Sequence, residues 1–301
     1  MGRRATTRAR RDWAAAYVLL APAAALLCTW FVYPIFDTVL LGFQRVDLFN
    51  FSERTYVGLT NFDQLWSDPA FHHSLFITGI FVLFVVPAQT VLALLLASVL
   101  QSVGTGKTFF RTAFFLPYMT STVAVTTVFM KLFVDGGPLS TVAASLFGVS
   151  NTTWYADPSL ALPFLVIVYV YMYIGLYVVV FLGGIENVPV DLHEAAKVDG
   201  AGVAQRFRFV TVPSVRPYVF FVIVAGFIQA VQIFDQAYVI ASNNGSILGS
   251  PAGATATLVI FIYQQAFRLN NLGYGSAAAV VLLLIVFAGT VLTRKLLPEK
   301  S

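Results

Sequence analysis

The chain has 301 residues, of which 58% are hydrophobic and only 11% are charged, and its mean hydropathy is +0.80. Soluble globular domains carry about 25% charged residues, so this composition excludes an ordinary soluble protein. The formal net charge is +4. The basic residues lie at the ends of apolar blocks, which indicates a role in membrane topology and gives no reason to expect a nucleic-acid partner.

Six blocks are apolar over the roughly 20 residues that a membrane-spanning helix needs. In chain order they are Ala14–Phe36, His73–Leu100, Arg111–Val134, Ala161–Gly184, Pro217–Ile240 and Gly275–Leu297. None shows the strict alternation of a barrel strand. The sequence therefore predicts an all-α integral membrane protein with six transmembrane helices.

The basic residues also predict the orientation of these spans. Of the 18 basic residues, all but Arg45, Arg54, Lys131 and Arg268 lie in the two termini or in the second and fourth loops. Because basic loops stay in the cytoplasm, both termini are expected there. The predicted organisation is a basic cytoplasmic N-terminus (1–13), a six-helix transmembrane domain (14–297) and a short cytoplasmic tail (298–301).

Motifs for nucleotide, metal or catalytic chemistry are weak. Gly104-Thr105-Gly106-Lys107-Thr108 resembles the end of a phosphate-binding loop, but Gln101 stands where that pattern needs glycine. The histidines, His72, His73 and His193, form no catalytic or metal-binding set. We therefore expect no catalytic residues, no metal and no cofactor, and the chain is not predicted to be an enzyme.

The fourth loop, about residues 185–216 and called here the Glu194 loop, is polar and lies between two apolar blocks. Asp191 is predicted to cap a short helix, with Glu194 completing a capping box three residues later. Gly200 is expected to end that helix and turn the chain. A segment of this kind could dock a partner protein, or it could rest on the lipid headgroups as an amphipathic helix.

The spacing in this loop resembles the EAA signature of permease subunits from ATP-binding-cassette (ABC) importers. Glu194-Ala195-Ala196 and Gly200 are followed by nine residues and then by Val210-Thr211-Val212-Pro213, where that family has Ile-x-Leu-Pro. Weaker matches run in the right order along the chain, from Tyr33-Pro34 to the stretch Leu272–Ala278. They are similar to the sugar-type subunits of the maltose and glycerol-3-phosphate transporters.

This resemblance implies the type I ABC importer permease fold in a prokaryotic inner membrane. It assigns contact with the ATPase to the Glu194 loop, through Glu194, Ala195, Ala196, Asp199, Gly200 and Pro213. The implied partners are a second permease subunit in a heterodimer, an ABC ATPase dimer, an extracytoplasmic solute-binding protein and the lipid bilayer. The implied solute is a carbohydrate or a related polyol or glycerol phosphate.

Polar residues inside the spans are the candidates for the solute path. On the fifth span Gln229, Gln232 and Gln236 are spaced to share one helical face, and Asp235 lies nearby. Tyr173 and Tyr177 are one turn apart on the fourth span. The glutamines could equally join helices through hydrogen bonds, and the tyrosines could serve packing.

The alternative function is a proton- or ion-coupled secondary transporter. Such a protein needs ionisable groups deep in the bilayer. Only Asp235 and Lys131 come close, and both lie near predicted span ends. This alternative also leaves the Glu194 loop unexplained.

Overall fold

The computed structural model describes residues 2–49, 53–103, 106–148, 152–245 and 249–296. The predicted tail 298–301 lies outside them. The chain divides into two compact units, residues 1–65 with 265–280 and residues 66–264 with 281–301.

The first unit begins with an almost unbroken helical rod. Its elements are α1 (Gly2–Leu27), a π-helical turn (Cys28–Val32), α2 (Tyr33–Gly42), the antiparallel strands β1 (Gln44–Arg45) and β2 (Thr55–Tyr56), and α3 (Thr60–Ser67). Asn61 is buried and donates hydrogen bonds of 2.9 Å to the carbonyls of Gly42 and Gln44, which holds α3 against the end of α2. Most of the apolar stretch Ala15–Gly42 is not covered by the rest of the chain, and the residues buried in it, Leu41 and Gly42, lie at its end.

The second unit is built around two long helices that pack along each other. Its elements are α4 (Pro69–Ser102), α5 (Lys107–Met119), α6 (Thr122–Leu132), α7 (Pro138–Phe147), a 3₁₀ turn (Trp154–Ala156), α8 (Ala161–Glu186), α9 (Val190–Val198), α10 (Val203–Arg206), a π-helical turn (Phe207–Thr211), α11 (Val212–Ser214), α12 (Arg216–Val231), α13 (Asp235–Asn243) and α14 (Leu258–Tyr263). A further π-helical turn (Gln264–Arg268) precedes α15 (Leu272–Leu296), which begins in the first unit and ends in the second.

Within the described ranges, five helical stretches have the length and hydropathy of a membrane span. They are Ala15–Gly42, Pro69–Ser102, Ala161–Glu186, Arg216–Asn243 and Leu272–Lys295. A sixth span results if the bent pair α5 and α6 is counted as one. The prediction of a mostly helical protein with six spans is therefore confirmed, with one span in two pieces.

The third span differs in its bounds and its shape from the apolar block predicted over 111–134. It begins earlier, at Lys107, and it bends by 99° between Met119 and Thr122. Pro117 has no N–H to donate to the preceding turn, and Thr120 is extended, with ψ 153°. The proline therefore weakens the last turn of α5 where the chain changes direction.

The fifth span is also interrupted. The helix α12 ends at Val231 and α13 starts at Asp235, so the backbone is not helical from Gln232 to Phe234. Continuous hydropathy across 217–240 predicted one helix, because hydropathy responds to side chains and not to backbone hydrogen bonds.

The core of the second unit lies where α4, α8 and α12 pack together. Phe81 and Phe164 are fully buried in one apolar cluster, and Phe181 and Val222 in another. At Gly175 of α8 the helices are so close that an added Cβ would lie 1.8 Å from the carbonyl oxygen of Phe114 in α5. Small residues at such crossings let membrane helices approach each other closely.

A turn before α8 contains a short polar network. The hydroxyl and the backbone N–H of Ser159 donate hydrogen bonds of 2.6 and 2.8 Å to Oδ1 of Asp157. These bonds, the side-chain bond first, lower the pKa of the Asp157 carboxyl.

Candidate functional site

The Glu194 loop folds as two short helical segments joined by a turn. The first segment is α9, and the second runs from α10 through the π-helical turn into α11. Pro189 precedes α9 and no side chain caps it, so the prediction that Asp191 is the N-cap is wrong. Asp191 instead falls in the first turn of α9, where its negative charge suits the helix dipole.

The turn after α9 has the geometry predicted for Gly200. Its φ is +79°, which L-residues with a side chain rarely adopt. The N–H of Gly200 bonds to the carbonyl of Lys197 at 3.0 Å, and the N–H of Ala201 bonds to that of Ala196 at 2.9 Å. This pair of bonds is a Schellman motif, which ends the helix and reverses the chain.

Although the loop is polar in composition, several of its large apolar side chains are exposed. Val190, Leu192, Val198, Val203 and Phe209 are exposed, and Val198 is 87% exposed. The predicted coupling residues lie on the same loop. Glu194, Ala195, Asp199, Gly200 and Pro213 are exposed and Ala196 is half-buried. The loop thus presents small, apolar and acidic groups together outside the helix bundle.

Both ends of the loop are anchored in the bundle. Val188 and Val215 are buried, and Asn187 Nδ2 donates a hydrogen bond of 3.1 Å to Oη of Tyr218 at the start of α12. A Cβ on Gly184, near the end of α8, would lie 2.7 Å from the Tyr218 ring. The two ends of the loop are therefore held against both α8 and α12.

An ion pair joins the start of α5 to the end of α8, just before the Glu194 loop. The ammonium group of Lys107 lies 2.6 Å from Oε1 of Glu186 and 2.5 Å from Oε1 of Gln101. Both charged side chains are partly exposed, so solvent weakens the pair, which is worth about 0.2–1 kcal/mol. The role of this pair is to fix the relative position of two helix ends.

The predicted path residues on α8 and α12 meet in part. Oη of Tyr177, which is fully buried, donates a hydrogen bond of 3.3 Å to Oε1 of Gln229. Tyr173 is half-buried. The centroid of its ring lies 4.4 Å from that of Tyr169, with the rings tilted, and 5.9 Å from that of Tyr118 on α5, in an edge-on contact.

The three glutamines do not share one helical face as predicted. Gln232 begins the break between α12 and α13 and is exposed, as is Asp235 on the other side of the break. Gln236 is buried and its Nε2 donates to the sulfur of Met172 at 3.6 Å. Because the backbone leaves the helix between α12 and α13, the 3.6-residue period does not continue across the break. The spacing of the three glutamines in the sequence therefore does not place them on one face.

Two buried polar residues of the same region were missed by sequence reasoning. Gln89 of α4 is fully buried beside Gly226, and Tyr169 of α8 is buried against Phe81, with ring centroids 5.2 Å apart. Both left a signal. Gln89 is the one amide in the block 73–100, and Tyr169 precedes Tyr173 and Tyr177 at a spacing of four.

A separate cavity of about 300 Å³ lies between α4, α12, α14 and α15 and is almost wholly apolar. Its lining residues are Leu75, Thr78, Gly79, Val82, Leu83, Phe227, Val231, Leu258 and Ile285. None of the predicted path residues lines it. Within the described residues, no three His, Cys, Asp or Glu side chains gather as metal ligands.

Comparison with known proteins assigns this architecture. Residues 69–300, which include all the elements from α4 onwards, match the family described as binding-protein-dependent transport system inner membrane component. The chain belongs to this family. It is therefore a multi-pass inner-membrane permease subunit of an ABC importer, and ATP hydrolysis in such importers is carried out on a separate subunit.

The relatives of this permease subunit match it over nearly its whole length. It is 30% identical to the arabinooligosaccharides transport system permease protein AraP of Bacillus subtilis, over 94% of this chain and 88% of that protein. It is 31% identical to the lactose transport system permease protein LacF of Rhizobium radiobacter, over 90% of this chain and 89% of that protein.

A solved structure has the same fold as this permease subunit. It is a chain of a bacterial alginate ABC transporter in complex with an alginate pentasaccharide-bound periplasmic protein. The TM-score is 0.73 at 21% identity, and the match covers 97% of this chain and 98% of that chain. The expected type I importer permease fold is thus confirmed.

Proposed function

We propose that this permease subunit forms part of the translocation path for a carbohydrate or a related polyol or glycerol phosphate, and that the Glu194 loop couples the path to a separate ATPase. The observation that carries the proposal is the exposed apolar surface of the loop between two anchored ends. The exposed apolar side chains of the loop, with Val198 at 87%, form a surface suited to burial against a partner protein.

The coupling proposal follows from how the loop is attached. An ATPase bound to α9 would move a rigid segment. The Schellman turn fixes the C-terminal end of α9, and the buried side chain of Val188 fixes the chain just before its N-terminal end. Small residues at Ala195 and Ala196 let a partner surface approach closely. Since α8 ends where the loop begins and α12 starts where it ends, a shift of α9 would change the distance between the helices that carry Tyr177 and Gln229. Coupling requires such a differential contact in two states.

The break from Gln232 to Phe234 supports a solute path beside it. Non-helical backbone at membrane depth is tolerated where it is buried in protein or lines a water-filled cavity. Gln232 and Asp235 are exposed at this break, while Gln236 is buried and Tyr173 is half-buried. Amides, phenols and freed backbone groups suit a solute rich in hydroxyl groups.

The solute class rests on the relatives. The two curated relatives are named for arabinooligosaccharides and for lactose, and the structural neighbour is named for alginate. These three are polyhydroxylated carbohydrates. We assign the same chemical class to this chain, and we leave the individual sugar to experiment.

The expected partners are a second permease subunit, an ABC ATPase dimer and an extracytoplasmic solute-binding protein. The surface of α1 and α2 supports a partner within the membrane or direct contact with lipid, since large apolar side chains such as Trp13, Leu19 and Trp30 are 65%, 80% and 72% exposed. A heterodimer, as in the resemblance described above, would cover one part of this surface and the bilayer the rest. With both termini cytoplasmic, residues 1–13 and the Glu194 loop lie on the ATPase side.

Two measurements test the proposal: sugar uptake by cells that carry this chain, and the subunits that co-purify with it. Host cells that carry a tagged copy of this chain should take up radiolabelled lactose or arabinotriose in an ATP-dependent manner, and cells that lack the chain should not. Purification through the tag should yield a second permease and an ABC ATPase. Uptake that persists after ATP depletion and stops when the proton gradient is dissipated would contradict the proposal and favour a secondary transporter.

A further inference from the structure

Gln89 on α4 has an unusual environment for an amide. Its side chain is fully buried, and neither Oε1 nor Nε2 has a hydrogen-bond partner among the described residues. The next residue, Thr90, is also buried, but its hydroxyl donates to the carbonyl of Val86 at 2.7 Å. Buried side-chain polar groups are normally satisfied, as Thr90 is, so the amide of Gln89 needs an explanation.

The amide lies where three helices meet. A Cβ on Gly226 of α12 would lie 2.1 Å from Nε2 of Gln89 and 3.5 Å from Oη of Tyr177 on α8. Gly226 therefore leaves room for Gln89 and Tyr177 to converge on the same spot. One turn further along α12, Gln229 accepts the hydrogen bond from Tyr177. The crossing of α4, α8 and α12 thus holds two amides and one phenol, called here the Gln89 cluster.

A purely structural role does not account for this placement. A glutamine that joined helices would have a partner on α8 or α12, and a side chain that only filled space would be apolar, because an unsatisfied buried amide costs about 1–3 kcal/mol. An unsatisfied buried group that a fold retains is one of the marks of a functional site.

We propose that Gln89 is a solute-binding residue, whose amide exchanges hydrogen bonds with hydroxyl groups of a carbohydrate as it passes the crossing of α4, α8 and α12. This inference rests on the proposed function and adds to it a residue from a third helix. The amide offers an acceptor oxygen and two N–H donors, which matches adjacent hydroxyl groups on a sugar ring. Together with Tyr177 and Gln229, it gives the Gln89 cluster the hydrogen-bonding groups that suit a polyhydroxylated solute.

The experiment compares Gln89→Leu with the matched control Thr90→Val in host cells that carry the variant in place of the native chain. Uptake is measured for lactose and arabinotriose, and then for monodeoxy analogues of whichever sugar the unmodified chain carries. Gln89→Leu is expected to lower uptake of the parent sugar by about threefold to tenfold, because one or two hydrogen bonds are lost. It should also reduce the preference for the parent sugar over at least one deoxy analogue. Thr90→Val should change neither quantity.

Thermal unfolding of the purified subunit supplies the second measurement. Because leucine removes an unsatisfied amide, the Tm of Gln89→Leu is expected to equal or exceed that of the unmodified protein. A Tm lower by several degrees would mean that the amide is satisfied within the fold, and would overturn the inference. Unchanged uptake with unchanged discrimination among the analogues would overturn it as well.

The two proposals fail in different ways. If the unmodified chain carries sugar and Gln89→Leu behaves like it, only the role of Gln89 is wrong. If the unmodified chain carries neither lactose nor arabinotriose nor any other carbohydrate tested, the solute class is wrong and the role of Gln89 falls with it.

Discussion

Tyr177 of α8 donates a hydrogen bond of 3.3 Å to Gln229 of α12, and these two helices are the ones that the Glu194 loop connects. The bond therefore bridges the two elements that a movement of the loop would displace. Its length is above the usual range for an O–H···O bond, and a small shift of either helix would break it. This pair links the proposed coupling segment to the proposed solute path.

Tyr177→Phe and Gln229→Leu should each reduce sugar uptake by up to about tenfold, since each removes a hydrogen-bonding group worth about 0.5–1.5 kcal/mol. If the two groups act together, the double variant should lose less than the sum of the single losses. Initial uptake rates in whole cells are measured for the unmodified protein, the two single variants and the double variant, which together form a double-mutant cycle. Fully additive losses would show that the two side chains act independently, and no loss in either single variant would place the path elsewhere.

Gln232 tests the break in the fifth span separately. The side chain is exposed between α12 and α13 and has room for a change. We expect Gln232→Leu to lower uptake by an order of magnitude at most while capture of the sugar by the external binding protein stays unchanged. Normal uptake kinetics in both Gln232→Leu and Gln229→Leu would mean that these amides serve packing alone.

Gly175 should tolerate no side chain. An added Cβ would lie 1.8 Å from the carbonyl oxygen of Phe114, so Gly175→Ala must push α5 and α8 apart at a cost of about 1–3 kcal/mol. The matched control is Gly183→Ala on the same helix, where an added Cβ meets nothing within 4 Å. The control should be neutral or slightly stabilising, because alanine is the better helix former. Thermal unfolding in detergent measures both variants, and equal Tm values would contradict the close approach of α5 and α8.

Gly200 should be sensitive through its backbone and not through packing. An added Cβ meets nothing within 4 Å, but φ is +79°, where alanine is strained by about 1–2 kcal/mol. Gly200→Ala should therefore loosen the turn after α9 and lower uptake, with the protein still in the membrane. Gly202→Ala is the control, because φ there is −67°. The measurement is sugar uptake divided by the amount of each variant in the membrane. Equal uptake by Gly200→Ala and Gly202→Ala would contradict the role of the turn.

The orientation can be tested with the single native cysteine removed. In a Cys28→Ala background, a membrane-impermeant maleimide should label Leu59→Cys in spheroplasts but should label Gln205→Cys only after permeabilisation. Both side chains are exposed, so accessibility within the fold does not limit either reaction. Labelling of Gln205→Cys from outside would reverse the assigned topology and remove the Glu194 loop from the cytoplasm.

Much of this fold could be predicted because hydropathy locates spans directly. The block Ala161–Gly184 corresponds closely to α8, and the left-handed turn at Gly200 followed from glycine after a short helix. The two interruptions could not be predicted in this way. At Gln232 the side chain remains compatible with a span, while the backbone leaves the helix because of tertiary packing that no sequence window contains. At Thr120 the nearby Pro117 marks a weak point of the helix in the sequence, but it does not give the size of the bend.

The candidate path was only partly predictable for the same reason. Gln229 and Tyr177 were expected on separate helices, and their hydrogen bond depends on how α8 and α12 cross. Gln89 was visible as one amide in an apolar block, but only the close approach at Gly226 places it beside Tyr177. The capping role of Asp191 failed because Pro189 lets the helix begin one residue before it.

The central claim is that the Glu194 loop couples this subunit to an ATPase, and charge reversal at Glu194 tests it most directly. The measurement is sugar-stimulated ATP hydrolysis by the complex purified through a tag on this chain, for the unmodified protein, Glu194→Lys and the control Glu53→Lys, which reverses a charge on an exposed residue of the first unit. We predict stimulated hydrolysis in the unmodified and control complexes, and its loss in Glu194→Lys with the protein still inserted in the membrane. Full stimulation in Glu194→Lys with the ATPase bound, or an unmodified complex that contains no ATPase, would contradict the account.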